Sequence, residues 1–345
     1  MTLRALVVDD TALYRKVLSD ILTDLGVEVV GTANNGKIAM AKIEHLRPDF
    51  VTMDFEMPEM DGLETLRQMK KSAPETAAIM VSAHTRSGAS VTLEALELGA
   101  FDFIAKPEGA SALQNLESMK SQLRPILTSF QSRRGIKQSL RPVRPLPISP
   151  VRTGKLDIVA IGISTGGPNA LTKVIPQLPA DLGVPIVIVQ HMPPVFTAAL
   201  ADSLDRKSPL RVVEGAHGMV LQPNMVVLAP GGKQMKLVSE GGKAQIAITD
   251  DPPENHCKPA ADYLFRSVAQ LYGQRALGVI MTGMGADGTR GLKEMKLLGA
   301  RVLAQDESTS VVFGMPMEAI KAGIVDSILP LEEIAGEITK LVRKP

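Results

Sequence analysis

The residues around Ser164 have the types and spacing of a serine nucleophile. An apolar segment beginning at Asp157 ends at Gly162, the hydroxyl of Ser164 follows two residues later, and two glycines then precede a predicted helix. A sharp strand-to-helix turn of this kind projects a serine oxygen above the edge of a sheet and leaves backbone N–H groups nearby to bind an oxyanion. The spacing therefore predicts acyl chemistry at Ser164, with the N–H of Thr165 as one oxyanion donor.

A serine nucleophile needs a base, and His191 is the histidine that the predicted topology places beside Ser164. It directly follows the apolar segment 184–190, and neighbouring strands of a parallel sheet end at the same edge. Asp287 follows another apolar segment, 276–281, and is expected at that edge, where it would orient the imidazole. The order serine, histidine, aspartate differs from that of α/β-hydrolases, so the constellation would have arisen separately.

The same segment permits a second interpretation, because Gly162, Ser164 and Gly167 are one substitution from the GxGxxG dinucleotide fingerprint. That fold requires an acidic residue at the end of its second strand to bind the ribose, and this chain has Gln190 and His191 there. The middle glycine, which admits the pyrophosphate, is Ser164. Both departures favour acyl chemistry over nucleotide binding.

A second constellation lies in the first third of the chain, where acidic residues end predicted strands. Asp9 and Asp10 end the first strand and Asp54 the third, so their carboxylates are expected to converge at one edge of a sheet. Such crowding is costly without a hard cation, and Mg²⁺ prefers oxygen ligands. The hydroxyl of Ser82 and the ammonium of Lys106 end the next two strands, which predicts a site for phosphoryl transfer with Asp54 as nucleophile.

Both sites must be positioned by the strands and helices that alternate along the chain. Such alternation is typical of doubly wound parallel sheets. In the first half we predict strands at 3–8, 27–32, 49–53, 78–82 and 101–104 and helices at Tyr14–Leu25, Gly36–His45, Gly62–Lys71, Gly88–Leu98 and about Ala110 to Phe130. Residues 132–154, rich in proline and arginine, are predicted to form a linker, either a passive tether or a basic docking strip.

A second α/β pattern follows the linker. Its predicted strands are 156–162, 184–190, 225–229, 235–239, 244–249, 276–281 and 300–304. The three strands between 225 and 249 are close in sequence and predict an antiparallel insertion. The fold class is therefore α/β: a five-stranded parallel domain (1–124), a helix end and linker (125–153), and a Rossmann-like, mostly parallel domain with an antiparallel hairpin insertion (154–345).

Composition excludes several partners. A net charge of +1 over 345 residues argues against nucleic acid or a membrane surface as a bulk electrostatic partner. No apolar stretch approaches the ~20 residues of a membrane span. The single cysteine, Cys257, forbids an internal disulfide, so we expect a cytoplasmic protein.

The acidic constellation resembles the receiver domain of two-component response regulators. The matching residues, in order and spacing, are Asp9–Asp10, 53–58, Asp61–Gly62, Ser82–Ala83 and Lys106–Pro107. The resemblance implies that Asp54 is the phosphoacceptor and that Ser82 and Lys106 contact the phosphate. It also implies Mg²⁺ binding by Asp10, Asp54 and the carbonyl of Glu56, with Asp9 acting through water, and Phe103 as the switch aromatic.

At full length the chain resembles the chemotaxis protein-glutamate methylesterase family. The resemblance rests on segments 162–168, 190–194, 228–231, 255–265, 282–288 and 305–316. It implies hydrolysis of glutamate methyl esters on methyl-accepting chemoreceptors, deamidation of receptor glutamines, phosphorylation by the chemotaxis histidine kinase, and the N–H of Met284 as a second oxyanion donor. Many members have a histidine–methionine pair where this chain has Gln234–Met235, which puts the substrate groove there in question.

Two domains on a short tether, together with the family resemblance, lead to the hypothesis that the unphosphorylated receiver covers the esterase site. Two other functional classes stay open at this point. One is a phosphorylation-regulated binding module with a degenerate hydrolase domain, and the other is a DNA-binding regulator. The DNA-binding regulator is disfavoured because the second half of the chain is rich in glycine and strands and has no evident recognition helix.

Overall fold

The computed structural model describes residues 2–83, 85–107, 111–135 and 154–344, without the side chains of residues 86 and 132–135. The chain divides into two compact units, Met1–Arg134 and Gly135–Pro345. Most of the predicted linker, His84 and the predicted helix start at Ala110 lie outside the described residues, so the boundaries at 125 and 154 remain predictions. In the described part of the chain, none of the helices has the length and apolar character needed to cross a bilayer.

The first unit is a five-stranded parallel sheet with five helices. Its strands are β1 (Arg4–Val8), β2 (Glu28–Ala33), β3 (Phe50–Asp54), β4 (Ala77–Ser82) and β5 (Asp102–Ala105), in the order β2-β1-β3-β4-β5. Its helices are α1 (Ala12–Asp24), α2 (Gly36–Leu46), α3 (Gly62–Ser72), α4 (Arg86–Glu97) and α5 (Ala112–Gly135). The five predicted strands are confirmed to within one residue at each end, because each is a short apolar run ended by a polar or turn residue.

Helix α5 continues beyond the predicted end at Phe130 and includes the first residues assigned to the linker. Its buried residues Leu123, Ile126, Leu127 and Phe130 recur at helical spacing. The ring of Phe130 packs edge-on against Phe101, with 5.3 Å between ring centroids. This apolar stripe packs the helix onto the first unit as far as Phe130, and the helix continues to Gly135 despite the change in composition at 132.

The second unit is built on a seven-stranded sheet whose pairings are all parallel. The strands of the second unit are β6 (Ile158–Ile163), β7 (Ile186–Gln190), β8 (Arg211–Glu214), β9 (Met225–Leu228), β10 (Gln234–Glu240), β11 (Lys243–Thr249), β12 (Ala276–Ile280), β13 (Arg301–Gln305) and β14 (Ser327–Leu329). The order in the large sheet is β14-β13-β12-β6-β7-β9-β8, and β10 and β11 form a separate antiparallel hairpin.

The predicted three-stranded antiparallel insertion is wrong in its first member. Strand β9 pairs in parallel with β7 and β8, and only β10 and β11 pair antiparallel. Proximity in sequence suggested a meander, but the residues of β9 are fully apolar and buried, as expected for a strand inside a parallel sheet. The two edge strands, β8 and β14, were not predicted, because they are only four and three residues long and partly exposed.

Helices of the second unit connect these strands. They are α6 (Gly167–Val174), α7 (Phe196–Asp205), α8 (Ala261–Tyr272), α9 (Thr289–Leu297), α10 (Met315–Lys321) and α11 (Leu331–Arg343), with single 3-10 turns at Ile175–Gln177 and Gly273–Arg275. Helix α8 packs directly on β6, where a Cβ at Gly162 would lie 3.0 Å from the Cβ of Ala261. Strands β12, β6 and β7 are neighbours, so the residues that follow them share one edge.

Candidate functional site

The acidic residues of the first unit converge as predicted from their strand ends. Side-chain oxygens of Asp9, Asp10 and Asp54 all lie within 4.8 Å of one another. Lys106 Nζ donates to Asp54 Oδ2 at 2.6 Å and lies 3.3 Å from Asp9 Oδ2. Glu56 is in the loop that follows β3. The arrangement is a cluster of three carboxylates with one ammonium group.

The charges of this cluster are not balanced by Lys106 alone. Burial raises the pKa of Asp54 above its usual value, and the Lys106 ammonium lowers it only in part, while the charge of Asp9 raises it further. Asp9 Oδ2 is buried and accepts no hydrogen bond from the described residues. A buried carboxylate oxygen that has only the ion pair with Lys106, beside a second carboxylate, fits a hard divalent cation, and Mg²⁺ takes oxygen ligands of this type.

The side chain of Ser82 points toward helix α4 rather than Asp54. Its hydroxyl donates to the carbonyl of Gly88 at 3.2 Å and accepts from Thr92 Oγ1 at 2.7 Å. Phe103 lies on β5, buried beside Met80 of β4. The structure thus joins Lys106 to Asp54, whereas a contact between Ser82 and a phosphoryl group on Asp54 requires the hydroxyl to leave α4.

In the second unit His191 and Asp287 form a short hydrogen bond. His191 Nε2 lies 2.8 Å from Asp287 Oδ2, and the carboxylate of Asp287 is only 2% exposed. His191 follows β7, and Asp287 follows β12 through a glycine-containing loop. The two strands flank β6, so residues 96 positions apart meet at the carboxyl edge of the sheet.

Helix α8 supplies most of the other donors to Asp287. Oδ2 accepts from the N–H of Ala261 at 2.6 Å, and Oδ1 accepts from the N–H of Asp262 at 3.1 Å and from Asn255 Nδ2 at 3.0 Å. Burial raises the pKa of Asp287, but the hydrogen bonds from His191 and from the helix N-terminus outweigh burial and lower it overall. The carboxylate is therefore held ionised against His191.

Cys257 contacts the opposite side of the His191 ring. Its Sγ lies 3.6 Å from His191 Nδ1 and 3.5 Å from the carbonyl oxygen of Asn255. Burial lowers the pKa of His191, but the hydrogen bonds to Asp287 and Cys257 prevail and raise it to about 10. The resting site therefore favours the imidazolium, and the neutral base forms as the pH rises.

Ser164 lies one position beyond β6, beside His191. The N–H of His191 donates to the carbonyl of Ile163, and the N–H of Ser164 donates to the carbonyl of Thr282 at 2.9 Å. A Cβ on Gly283 would lie 2.7 Å from the Ser164 Cβ, so the loop after β12 approaches the serine closely because Gly283 has no side chain.

The contact between Ser164 and the histidine is not formed. Within the described residues, no hydrogen bond joins the Ser164 hydroxyl to His191. The ring nitrogen that is not bonded to Asp287, Nδ1, faces Cys257 rather than the Ser164 hydroxyl. Catalytic hydrogen bonds commonly tighten only when substrate binds. The structure brings together the histidine–aspartate half of the predicted set and places the serine on the adjoining strand end.

The two predicted oxyanion donors are available. Among the described residues, neither the N–H of Thr165 nor that of Met284 donates a hydrogen bond. Thr282 Oγ1 donates to the carbonyl of Thr165 at 2.9 Å, and Gln190 Nε2 donates to the carbonyl of Ser164 at 2.9 Å. These bonds fix the turn through its carbonyl groups and leave the N–H groups free.

Sequence reasoning missed several residues that hold the site together. The sequence predicts no individual role for Asn255, yet its amide bridges Asp262 and Asp287. Gln190, considered only as the residue in place of a ribose-binding acid, donates to the carbonyl of Ser164. The signal for Asn255 is its place in a polar loop that ends at a helix N-terminus. No local pattern reveals that it reaches Asp287, because the two residues are 32 positions apart.

Gln234, which departs from the family pattern, is fully buried and does not line an exposed groove. Its Nε2 donates to the carbonyls of Pro252 and Cys257, and its Oε1 accepts from the N–H of Ala260. The side chain therefore connects the hairpin to the loop that carries Asn255 and Cys257. The difference from the family pattern at position 234 thus concerns the hydrogen bonds that hold this loop.

Comparisons with known proteins agree with the geometry. The chain is 47% identical to "Protein-glutamate methylesterase/protein-glutamine glutaminase" of Desulfotalea psychrophila and 45% identical to the protein of the same name from Bacillus subtilis, each match covering 99% of both chains. The "CheB methylesterase catalytic domain" of Thermotoga maritima superposes with a TM-score of 0.54 at 41% identity, covering 55% of this chain and 100% of that one.

Family models describe both units. Residues 5–117 match the response regulator receiver domain, and residues 159–338 match the CheB methylesterase model. Together with full-length relatives at more than 40% identity, these matches show that the chain belongs to the CheB methylesterase family, with a receiver domain preceding the methylesterase domain.

Proposed function

We propose that this protein hydrolyses methyl esters of glutamate side chains on methyl-accepting chemoreceptors, with release of methanol, and also deamidates receptor glutamines. The observation that carries the proposal is the 2.8 Å hydrogen bond from His191 to a buried carboxylate at the sheet edge that Ser164 also occupies. The substrate class is supported by the names of the full-length relatives, which specify both activities.

The proposed reaction is acyl transfer to water. Ser164 Oγ attacks the γ-carboxyl carbon of the ester, and its proton passes to His191 Nδ1. The same proton protonates the departing methoxide, which leaves as methanol. Water then attacks the acyl-serine, gives a proton to Nδ1, and releases the glutamate carboxyl group while the proton returns to Ser164 Oγ. General acid–base assistance of this kind is worth roughly 10²–10⁴-fold.

Asp287 and the free backbone N–H groups complete the proposed machinery. Asp287 keeps the second proton of the ring on Nε2, which leaves Nδ1 as the basic nitrogen, and stabilises the imidazolium that forms in each step. The N–H groups of Thr165 and Met284 would bind the oxyanion of the tetrahedral intermediate. Losing one such donor typically costs about 3–4 kcal/mol.

The receiver domain makes the hydrolase responsive to phosphorylation, with the chemotaxis histidine kinase as the proposed phosphodonor. Asp54 is the proposed phosphoacceptor, and Mg²⁺ held by Asp9, Asp10, Asp54 and the carbonyl of Glu56 would neutralise charge on the phosphoryl group when bound. Lys106 and Ser82 would contact the phosphate. Ser82 would have to leave Gly88 and Thr92 of α4 to do so, which provides a link from phosphorylation to that helix.

The proposed compartment is the cytoplasm. The chain contains one cysteine, so no internal disulfide links the fold. A net charge of +1 gives no support for nucleic acid as a partner, and we propose neither nucleic-acid binding nor membrane insertion. Receptor glutamates and the kinase are the partners that the proposal requires.

The test is methanol release from methylated chemoreceptors by the Ser164→Ala variant. We expect methanol release to fall to the uncatalysed rate, while Mg²⁺-dependent phosphorylation by a small-molecule phosphodonor is unchanged. Ser308→Ala, in a loop where the hydroxyl bonds only Asp306 among the described residues, is the matched control and should retain wild-type turnover. Full methanol release by Ser164→Ala would identify a different nucleophile and refute the mechanism.

A further inference from the structure

The environment of His191 contains the donor atoms of a soft-metal site. Nitrogen, sulfur and oxygen atoms from His191, Cys257 and Asp287 all lie within 4.8 Å of one another. Sγ of Cys257 faces Nδ1 of the ring at 3.6 Å, and Asp287 faces Nε2 at 2.8 Å. Cys257 is partly exposed, so an ion can reach the thiol from solvent.

The separation of sulfur and nitrogen matches two ligands of one tetrahedral ion. Zinc binds thiolate at about 2.3 Å and imidazole at about 2.0–2.1 Å, which at the tetrahedral angle places the two donor atoms about 3.6 Å apart. The distance between Cys257 Sγ and His191 Nδ1 is 3.6 Å. Little movement of either side chain is needed to bring both donors onto one ion.

The position of Asp287 supports the same site. A histidine that binds a metal through one ring nitrogen usually donates the other N–H to a carboxylate, which fixes the tautomer and strengthens the ligand. Asp287 already accepts from Nε2 and is itself held by Asn255 and by the N-terminus of α8. Nδ1 and Sγ are thus the ligands, and Asp287 is the orienting group.

We propose that His191 Nδ1 and Cys257 Sγ bind a zinc-class divalent cation that inhibits the hydrolase. On binding, the thiol proton of Cys257 and the Nδ1 proton of the His191 imidazolium are released to solvent, Nε2 keeps its proton toward Asp287, and the lone pair of Nδ1 is donated to the metal. Nδ1 can then no longer accept the proton of Ser164. The inhibitory part rests on the proposed function, whereas metal binding itself does not.

The two clusters of potential metal ligands found among the described residues differ in the ions that they prefer. The receiver cluster of Asp9, Asp10 and Asp54 offers only oxygen and suits Mg²⁺. The pair of His191 and Cys257 offers nitrogen and sulfur, which select zinc, cobalt and similar ions over Mg²⁺. Millimolar Mg²⁺ should therefore leave the second site open to zinc and should block adventitious binding at the first.

The binding test uses Co²⁺ with the full-length protein in excess Mg²⁺. Cys257 is the only cysteine of the chain, so a thiolate-to-cobalt charge-transfer band reports on this site alone. We expect the band in the wild type, its loss in Cys257→Ser, and its displacement by equimolar Zn²⁺. His256→Ala removes the exposed neighbouring imidazole and should keep the band. Absence of the band in the wild type, or its persistence in Cys257→Ser, would overturn the proposal.

The inhibition test compares methanol release with and without Zn²⁺, each variant relative to its own metal-free rate. The half-inhibitory zinc concentration should rise at least about tenfold in Cys257→Ser, because loss of even an outer-shell partner of a metal ligand typically costs about 10–100-fold in affinity. Equal inhibition of both proteins would refute the inhibitory role. If the metal-free wild type releases no methanol, the proposed function fails, and the cobalt band still decides whether the metal site exists.

Discussion

The two sites of this protein sit at the same place in two parallel sheets but balance their charges differently. In the receiver, Lys106 is the cation that contacts Asp9 and Asp54, and Asp9 Oδ2 accepts no hydrogen bond from the described residues. In the methylesterase domain, both oxygens of Asp287 accept two hydrogen bonds each. The first site leaves a carboxylate oxygen without a hydrogen-bond donor among the described residues, whereas both carboxylate oxygens of the second site are fully hydrogen-bonded.

This difference matches the proposed chemistry. A phosphoacceptor must bind Mg²⁺ and a phosphoryl group, so a cluster with a carboxylate oxygen that accepts no hydrogen bond from the described residues is suited to its task. A group that orients a catalytic base must keep its charge and position through every step, so Asp287 needs many donors and a lowered pKa. A carboxylate cluster with an oxygen that lacks a hydrogen bond therefore suits the binding of a cation, whereas a fully hydrogen-bonded carboxylate suits the orientation of a catalytic base.

The largest expected effect on methanol release comes from substituting Asp287, the fully hydrogen-bonded carboxylate of the methylesterase domain. Asp287→Asn keeps the shape of the side chain but removes its charge and allows the wrong tautomer of His191. Methanol release should fall by about 10⁴-fold in kcat. Phosphorylation at Asp54 should be unchanged. Asp181→Asn, an exposed carboxylate paired with Arg343, is the control and should have wild-type kcat. A loss of less than tenfold in Asp287→Asn would show that this carboxylate does not orient the base.

The role of the receiver site is tested by Asp54→Asn. We expect complete loss of the stimulation by a small-molecule phosphodonor and retention of the basal methanol release, because the change removes the phosphoacceptor and leaves the residues of the methylesterase domain unaltered. Asp20→Asn, an exposed carboxylate on α1, should respond to the phosphodonor as the wild type does. Stimulation of the Asp54→Asn variant would mean that phosphorylation occurs elsewhere.

A smaller effect is expected from loosening the loop that closes the second site. Gln234→Ala removes the hydrogen bonds to Pro252, Cys257 and Ala260 and leaves the buried N–H of Ala260 without an acceptor. The free energy of unfolding should fall by about 1–3 kcal/mol. Urea denaturation of the wild type, of Gln234→Ala and of Gln245→Ala, on the hairpin partner strand, measures it. Equal stability of all three would show that Gln234 does not support the loop.

The smallest expected effect is a change in pH dependence. Because contacts with Asp287 and Cys257 raise the pKa of His191 to about 10, the neutral base is scarce at neutral pH, and kcat/KM should rise from neutral toward alkaline pH. Cys257→Ala removes one contact that raises this pKa, so the rise should occur at lower pH. His217→Ala, a histidine in an exposed loop, should leave the profile unchanged. A profile that Cys257→Ala does not alter would show that the thiol does not influence the base.

The convergence of the receiver residues could be predicted because they lie at or just beyond the ends of strands. A short apolar run predicts a buried strand, and parallel strands end at one edge, so Asp10, Asp54 and Lys106 had to be neighbours. The direction of the Ser82 hydroxyl could not be predicted from the positions of the strand ends. Its hydroxyl lies at a strand end as predicted, but packing of α4 directs it to Gly88 and Thr92.

The sequence by itself determined the two α/β units, the five receiver strands and the meeting of His191 with Asp287, because these follow from apolar periodicity and parallel pairing. Only the tertiary structure decided which groups surround that pair. Asn255, Cys257 and the N-terminus of α8 reach it from a loop and a helix that do not follow the strands of the site. Such contacts depend on how side chains pack between elements distant in sequence, and no local pattern of residues encodes that packing.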